Sequence, residues 1–161
     1  NYKFNTPLLA DLRRAINLRK ELLLNNPNKI PAVLDIVKNS LDKKIMIFCE
    51  YISFAERIKN ELIDYDIKCE TYTTKNKNNN IINDFINNKF NVLIAVKCLD
   101  EGFDVKDIEL IIIAGGSSVK RQTIQRIGRS LRYIEGKKSI IYNVFTANTK
   151  EEEWVKERCI K

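Results

Sequence analysis

No histidine occurs anywhere in the 161 residues, which removes His-ligated zinc, the Ser-His-Asp triad and the Cys-His dyad from the chemistry this chain can perform by itself. Glycine and proline are sparse, five and three respectively, and no stretch rich in Pro, Gly or Ser marks a linker between domains. No apolar run reaches the ~18 residues of a membrane span, and the opening NYKFNTPLL lacks the layout of a secretory signal. The cysteines Cys49, Cys69, Cys98 and Cys159 never form a C-x-x-C pair, and three of them lie in or beside apolar strand-like runs. They read as reduced, partly buried thiols of an intracellular protein, cytoplasmic or nuclear.

What is present is a chain of one domain's size, able to bury a core without staples. Its 28 basic against 21 acidic residues leave a net charge of +7, a balance that favours polyanionic partners through long-range attraction and counterion release. It opens and closes without obvious boundaries and is expected to be a piece of a longer protein.

Strand-like and helix-like segments alternate along the chain. Thr6-Pro7 is a helix start, followed by Leu8, Leu9, Leu12, Ile16 and Leu23 at helical spacing up to NNPN. A second helix is predicted from Pro31 to Leu41. The apolar run KIMIFCE (44–50) predicts a strand buried on both faces. Ser53 with Glu56 has the capping-box pattern of a helix running to about Tyr65. Further strands are predicted at 67–72, 91–96, 108–114 and 138–145, with helices over IINDFINN and 119–132. Thr149 with Glu152 caps a closing helix that carries Trp154. Alternation of this kind, with strands apolar throughout, predicts an α/β fold whose mostly parallel sheet is covered on both sides. Ligands of such sheets collect at the carboxyl ends of the strands. That edge gathers Cys49 to Tyr51, Tyr72 to Lys77, Val96 to Asp104 and Ala114 to Ser118.

One helix stands out by its charge. On a wheel of ~100° per residue, Ile124, Ile127 and Leu131 share one arc, while Arg121, Gln122, Gln125, Arg129 and Arg132 share the opposite one, flanked by Arg126. A solvated helix face would be served by lysine, and would carry glutamates at i,i+4 to pair the charge. Arginine's rigid fork suits phosphate oxygens instead.

The wording QRIGRSLR (125–132) resembles the sixth motif of superfamily 2 helicases, Q-R-x-G-R-x-x-R, at every fixed position. NVLIAVKCLDEGFDV (91–105) resembles the fifth, a strand followed by E-G-x-D-V, and KKIMIFCEY (43–51) the fourth, preceded by a helix containing NPNK. From about residue 28 to 147 the chain resembles the second RecA-like lobe of these motors, in the branch of XPB-like proteins and restriction motors. The implied fold is a three-layer RecA-like domain over 28–161, with 1–27 a helical segment leading from a first lobe that the sequence does not contain.

The resemblance implies roles residue by residue. Arg129 and Arg132 match the arginine fingers that reach the γ-phosphate of ATP, and Gln125 and Arg126 match residues of the same interlobe interface. Asp104 matches the carboxylate that accepts a hydrogen bond from the ribose, Gly102 permits the turn delivering it, and Glu101 stands behind them. Tyr51, Thr73, Thr74, Lys75, Lys77, Val96 and Lys97 occupy loops that touch the sugar-phosphate backbone in the family. Departures are Val96, where many members carry threonine, and Asn78, near a position often held by arginine. The chain has no G-x-x-x-x-G-K-[ST] and no acidic D-E-x-[DH] box: its only Gly-Lys pair, Gly136-Lys137, follows Leu131 and precedes Lys138. ATP and Mg2+ are therefore expected to be held mainly by the missing first lobe, and this piece alone is not expected to hydrolyse ATP. Expected partners are that lobe and a nucleic acid, DNA in preference to RNA, with no membrane. Two rival readings are an inactive lobe that only binds nucleic acid or protein, and a dinucleotide site at AGGSS (114–118). The second fails the G-x-G-x-x-G spacing.

Overall fold

The computed structural model describes residues 7–73, 78–96, 108–115 and 140–159. Five strands form its sheet: β1 (Ile45–Cys49), β2 (Cys69–Thr73), β3 (Val92–Val96), β4 (Leu110–Ile113) and β5 (Ile140–Asn143), in the order β2-β3-β1-β4-β5. Every pairing is parallel, with Ile45 opposite both Val92 and Leu110, Cys69 opposite Val92, and Leu110 opposite Ile140. The described helices are α1 (Pro7–Leu24), α2 (Ile30–Lys38), α3 (Ile52–Asp64), α4 (Asn79–Ile86) and α5 (Lys150–Cys159), with one 3-10 turn (Pro27–Lys29) before α2.

Burial explains why β1, β3 and β4 are apolar throughout: all their side chains are inside, as a parallel sheet covered on both faces requires. Alternate residues point to opposite layers. Ile45, Ile47, Cys49, Ile94, Val96, Ile112 and Ala114 pack with Val33, Val37, Phe54, Ile58 and Leu62 of α2 and α3. Met46, Phe48, Leu93, Ala95, Ile111 and Ile113 pack on the other side with Phe85 and Phe90, whose rings stack at 5.6 Å. The edge strands differ: β2 alternates buried with half-buried residues, and Ile140, Ile141 and Tyr142 of β5 are exposed.

Helices α3 and α4 end alike. Asp66 and Asn88 take positive φ, and Ile67 N–H reaches back to Leu62 O as Lys89 N–H does to Asp84 O, the six-residue closure of a Schellman motif. Three expectations are corrected. The helix predicted from Pro31 to Leu41 begins at Ile30, after the separate 3-10 turn, and ends at Lys38. The capping box of Ser53 and Glu56 does not form: α3 is capped two residues earlier, at Tyr51, which makes no side-chain cap, because burying Phe54 and Ala55 turns Glu56 towards β2, where it accepts from the Thr71 hydroxyl at 3.0 Å. In α5, Glu152 accepts from Asn148 N–H at 2.9 Å, one residue before the cap, while Thr149 accepts from Glu151 N–H at 3.2 Å.

The first helix lies apart from this core. Leu8 is 76% and Leu22 75% exposed, and of α1 only Leu24 is buried. The apolar spacing that predicts the helix thus does not mark a face packed on the sheet. Among the described residues no helix is long and apolar enough to cross a membrane. Substitution should separate the two regions. Phe85→Ala, at a fully buried ring, is expected to cost about 3–5 kcal/mol in urea denaturation. Leu8→Ala is expected to stay within about 0.5 kcal/mol of the parent chain.

Candidate functional site

Parallel pairing brings the strand ends into one row. Thr73 lies opposite Val96, Val96 opposite Cys49, and Phe48 opposite Ile113. From this row the chain departs into 74–77, 97–107 and 116–139, the segments that hold most of the predicted site. Three strand spacings put their points of departure within roughly 14 Å of one another. Thr73 and Val96 have their side chains inside, at 4% and 3% exposure. Tyr51 is half-buried, with extended backbone, and its carbonyl accepts from Ala55 N–H at 3.1 Å. Burial first, and then the carboxylates of Glu21 and Glu50, raise its phenol above the ordinary range, so it stays a hydrogen-bond donor at neutral pH. Glu50, itself buried, pairs with Lys20 at 3.4 Å.

The strand order reverses between β1 and β4, where doubly wound sheets open a crevice for ligands. Here the protein's own side chains fill it. Lys29 Nζ donates to Glu151 Oε1 at 2.9 Å and to Leu24 O at 3.4 Å, and lies 5.4 Å from the centre of the Phe54 ring. Glu151 Oε2 accepts from Thr146 N–H at 3.0 Å, and the Thr146 hydroxyl accepts from Asn26 Nδ2 at 3.1 Å. Both charged side chains are 3% exposed. Gly115 closes the group: a Cβ there would stand 2.8 Å from Leu24 O and 3.5 Å from Lys29 Nζ. Burial pulls the Lys29 ammonium below its ordinary pKa, while Glu151 opposes the shift. The neighbouring Cys49 thiol is pushed up to about 12 by burial, against the pull of Lys29.

Residues 28–134 match the family described as helicase conserved C-terminal domain, which is more than half of the chain. The chain belongs to that family. This helicase C-terminal domain is similar to the DNA 3'-5' translocase XPB2 of Sulfurisphaera tokodaii, with 32% identity over 129 residues, covering 80% of the chain and 28% of the translocase. It resembles the Hef helicase domain of Pyrococcus furiosus with a TM-score of 0.65 and 25% identity, over 80% of the chain and 27% of that one. The C-terminal domain of the DEAD-box protein Dbp5 shares the fold, with a TM-score of 0.68 at 18% identity, over 84% of the chain and 79% of that domain. The sheet is thus the RecA-like fold of superfamily 2 C-terminal lobes, as the motifs predict. The chain spans about a quarter of the translocase and of the Hef domain.

Of the predicted site, the helicase C-terminal domain describes Tyr51, Thr73 and Val96, all at the carboxyl edge. Thr74, Lys75, Lys77, Lys97, Glu101, Gly102, Asp104, Gln125, Arg126, Arg129 and Arg132 lie outside the described residues. Asn78 caps α4 by accepting from Asn80 N–H at 2.9 Å. Lys29 and Gly115 lie together beyond the ends of β1 and β4, with Glu151 bonded to Lys29. Sequence reasoning missed Lys29 and Glu151, which are 122 residues apart. The one available signal was a lysine in NPNK just before an apolar helix.

Cys49 at about 12 and Cys69 at about 11 both titrate above the unfolded thiol's 9.0. The unfolded chain therefore loses these protons first, so stability is expected to fall as pH rises from about 9 towards 12. Below that window both thiols are protonated and buried. Iodoacetamide labelling at pH 8, mapped by peptide mass, is expected to leave Cys49 and Cys69 unmodified until denaturant is added.

Proposed function

We propose that this domain is the second motor lobe of an ATP-dependent superfamily 2 helicase or translocase. In this reading it supplies arginine fingers and part of the track for a nucleic-acid backbone. One observation carries the proposal: the family match over 28–134 contains the fifth and sixth motifs in order. The strand of the fifth motif is β3, between β2 and the central β1. The name of the similar XPB2, a DNA translocase, supports DNA as the track. The buried thiols accord with a location inside the cell.

ATP, with Mg2+, supplies the phosphoryl group whose transfer drives movement, and both are held mainly by a first lobe outside this sequence. The work assigned to the present chain is electrostatic. Arg129 and Arg132, three residues apart in sequence, stabilise charge developing on the phosphoryl oxygens, and their forked donors fix its orientation. Gln125 and Arg126 hold the interface between lobes, Gly102 permits the turn before Asp104, and Asp104 accepts from the ribose. Tyr51, Thr73, Thr74, Lys75, Lys77, Val96 and Lys97 contact phosphates through hydroxyls, ammonium groups and backbone amides, without reading bases. Because Thr73 and Val96 have buried side chains, their contribution is through the backbone. The isolated lobe is inactive in this reading, since it supplies half of a composite site.

In the full-length protein, Arg129→Ala or Arg132→Ala is expected to lower ATP turnover by about 10³-fold or more, with nucleic-acid affinity nearly unchanged. Wild-type turnover in both variants would refute the finger assignment. Replacing Lys75 and Lys77 together with alanine is expected to flatten the dependence of log Kd on log salt by about two phosphate contacts. An unaltered slope would remove both lysines from the track.

A further inference from the structure

We infer that the exposed face of α1 is a homodimer interface, on which a second copy of this chain lays its own α1 antiparallel, with the two Ala15 residues meeting on the twofold axis. None of the residues assigned to nucleotide or nucleic acid takes part.

At ~100° per residue, Leu8, Leu12, Ala15, Leu18 and Leu22 fall within an arc of about 120° on α1. All five are exposed, the leucines at 76%, 54%, 53% and 75%. The helix joins the rest of the molecule by another side, where Leu24 is buried, Leu23 is half-buried and Lys20 pairs with Glu50 at 3.4 Å. Leucines left in water along about 21 Å of helix form the kind of contiguous apolar strip that marks an interaction surface.

The symmetry of the strip identifies the partner. Asp11 and Arg19 are the charged residues inside the arc, and both are exposed. They lie about 12 Å apart along the axis, too far to pair with each other, and among the described residues neither makes an ion pair. Reversing the helix about Ala15 places Leu8 on Leu22, Leu12 on Leu18 and Asp11 on Arg19. The strip is therefore its own complement, as a twofold interface requires when residue i meets j and j meets i. A parallel pair would instead set Asp11 against Asp11 and Arg19 against Arg19, which is repulsive. Ala15, the one small side chain of the strip, sits at the crossing point and lets the axes approach to about 8 Å. Because each α1 joins its domain at Leu24, antiparallel order also sends the two domains to opposite ends of the helix pair. A first lobe of the same protein, the other candidate to cover α1, has no use for a strip symmetric about its own centre.

The test is sedimentation velocity of the full-length protein without nucleic acid, over about 1–100 μM. It compares the parent with Asp11→Arg, Arg19→Asp and the double exchange Asp11→Arg/Arg19→Asp. The parent is expected to dimerise within that range. Each single exchange sets like charges together at both symmetric contacts, and is expected to raise the dimer Kd about tenfold or more. The double exchange is expected to return Kd to within about threefold of the parent. An equimolar mixture of the two single variants is expected to do the same, because opposite charges then meet across unlike copies. A parent that stays monomeric throughout would overturn the inference and leave α1 to the first lobe. So would single variants that dimerise as the parent does. Failure of both the double exchange and the mixture to restore association would also overturn it, because Asp11 would then not face Arg19.

Discussion

Burial of β1, β3 and β4 on both faces is the constraint from which the rest follows. The sheet's strands pair in parallel, so the connections cross over as helices, and these cover both faces and leave the inner strands no polar side. Once all strands point one way, their carboxyl ends share an edge, and every segment carrying a functional motif leaves from it. Gathering the site is thus a by-product of hiding the hydrophobic residues.

The same edge shows how a widespread fold is specialised. At the reversal of strand order, where many α/β proteins admit a ligand, this lobe places a lysine, a glutamate, a glycine and a helix end of its own. Among the described residues these groups pack against one another there.

Charge is divided between two environments. The chain carries an excess of seven positive charges, most of it available for long-range attraction to a polyanion. Lys29 stands outside that pool, since its ammonium is withdrawn from water and matched to one carboxylate and one carbonyl. In water its contribution would be diffuse and screened, whereas inside the protein it is directional.

The pattern of residues by itself determined the order of elements, the parallel sheet and the family, because these depend on local periodicity and on contiguous motifs. Strands predicted at 44–50 and 138–145 occur as Ile45–Cys49 and Ile140–Asn143, trimmed where pairing partners end. The polar strand CETYT was legible only from its neighbours, since an edge strand is half solvated. Leu8, Leu12 and Ile16 announced a helix but not what it faces, because spacing encodes a stripe and not its contact. Glu56 looked like a cap until Thr71, fifteen residues on, offered it a hydroxyl. Only the tertiary structure decided that Lys29 meets Glu151. Their partnership arises from the sheet bringing together the ends of β1 and β4, a relation between distant residues that no local pattern contains.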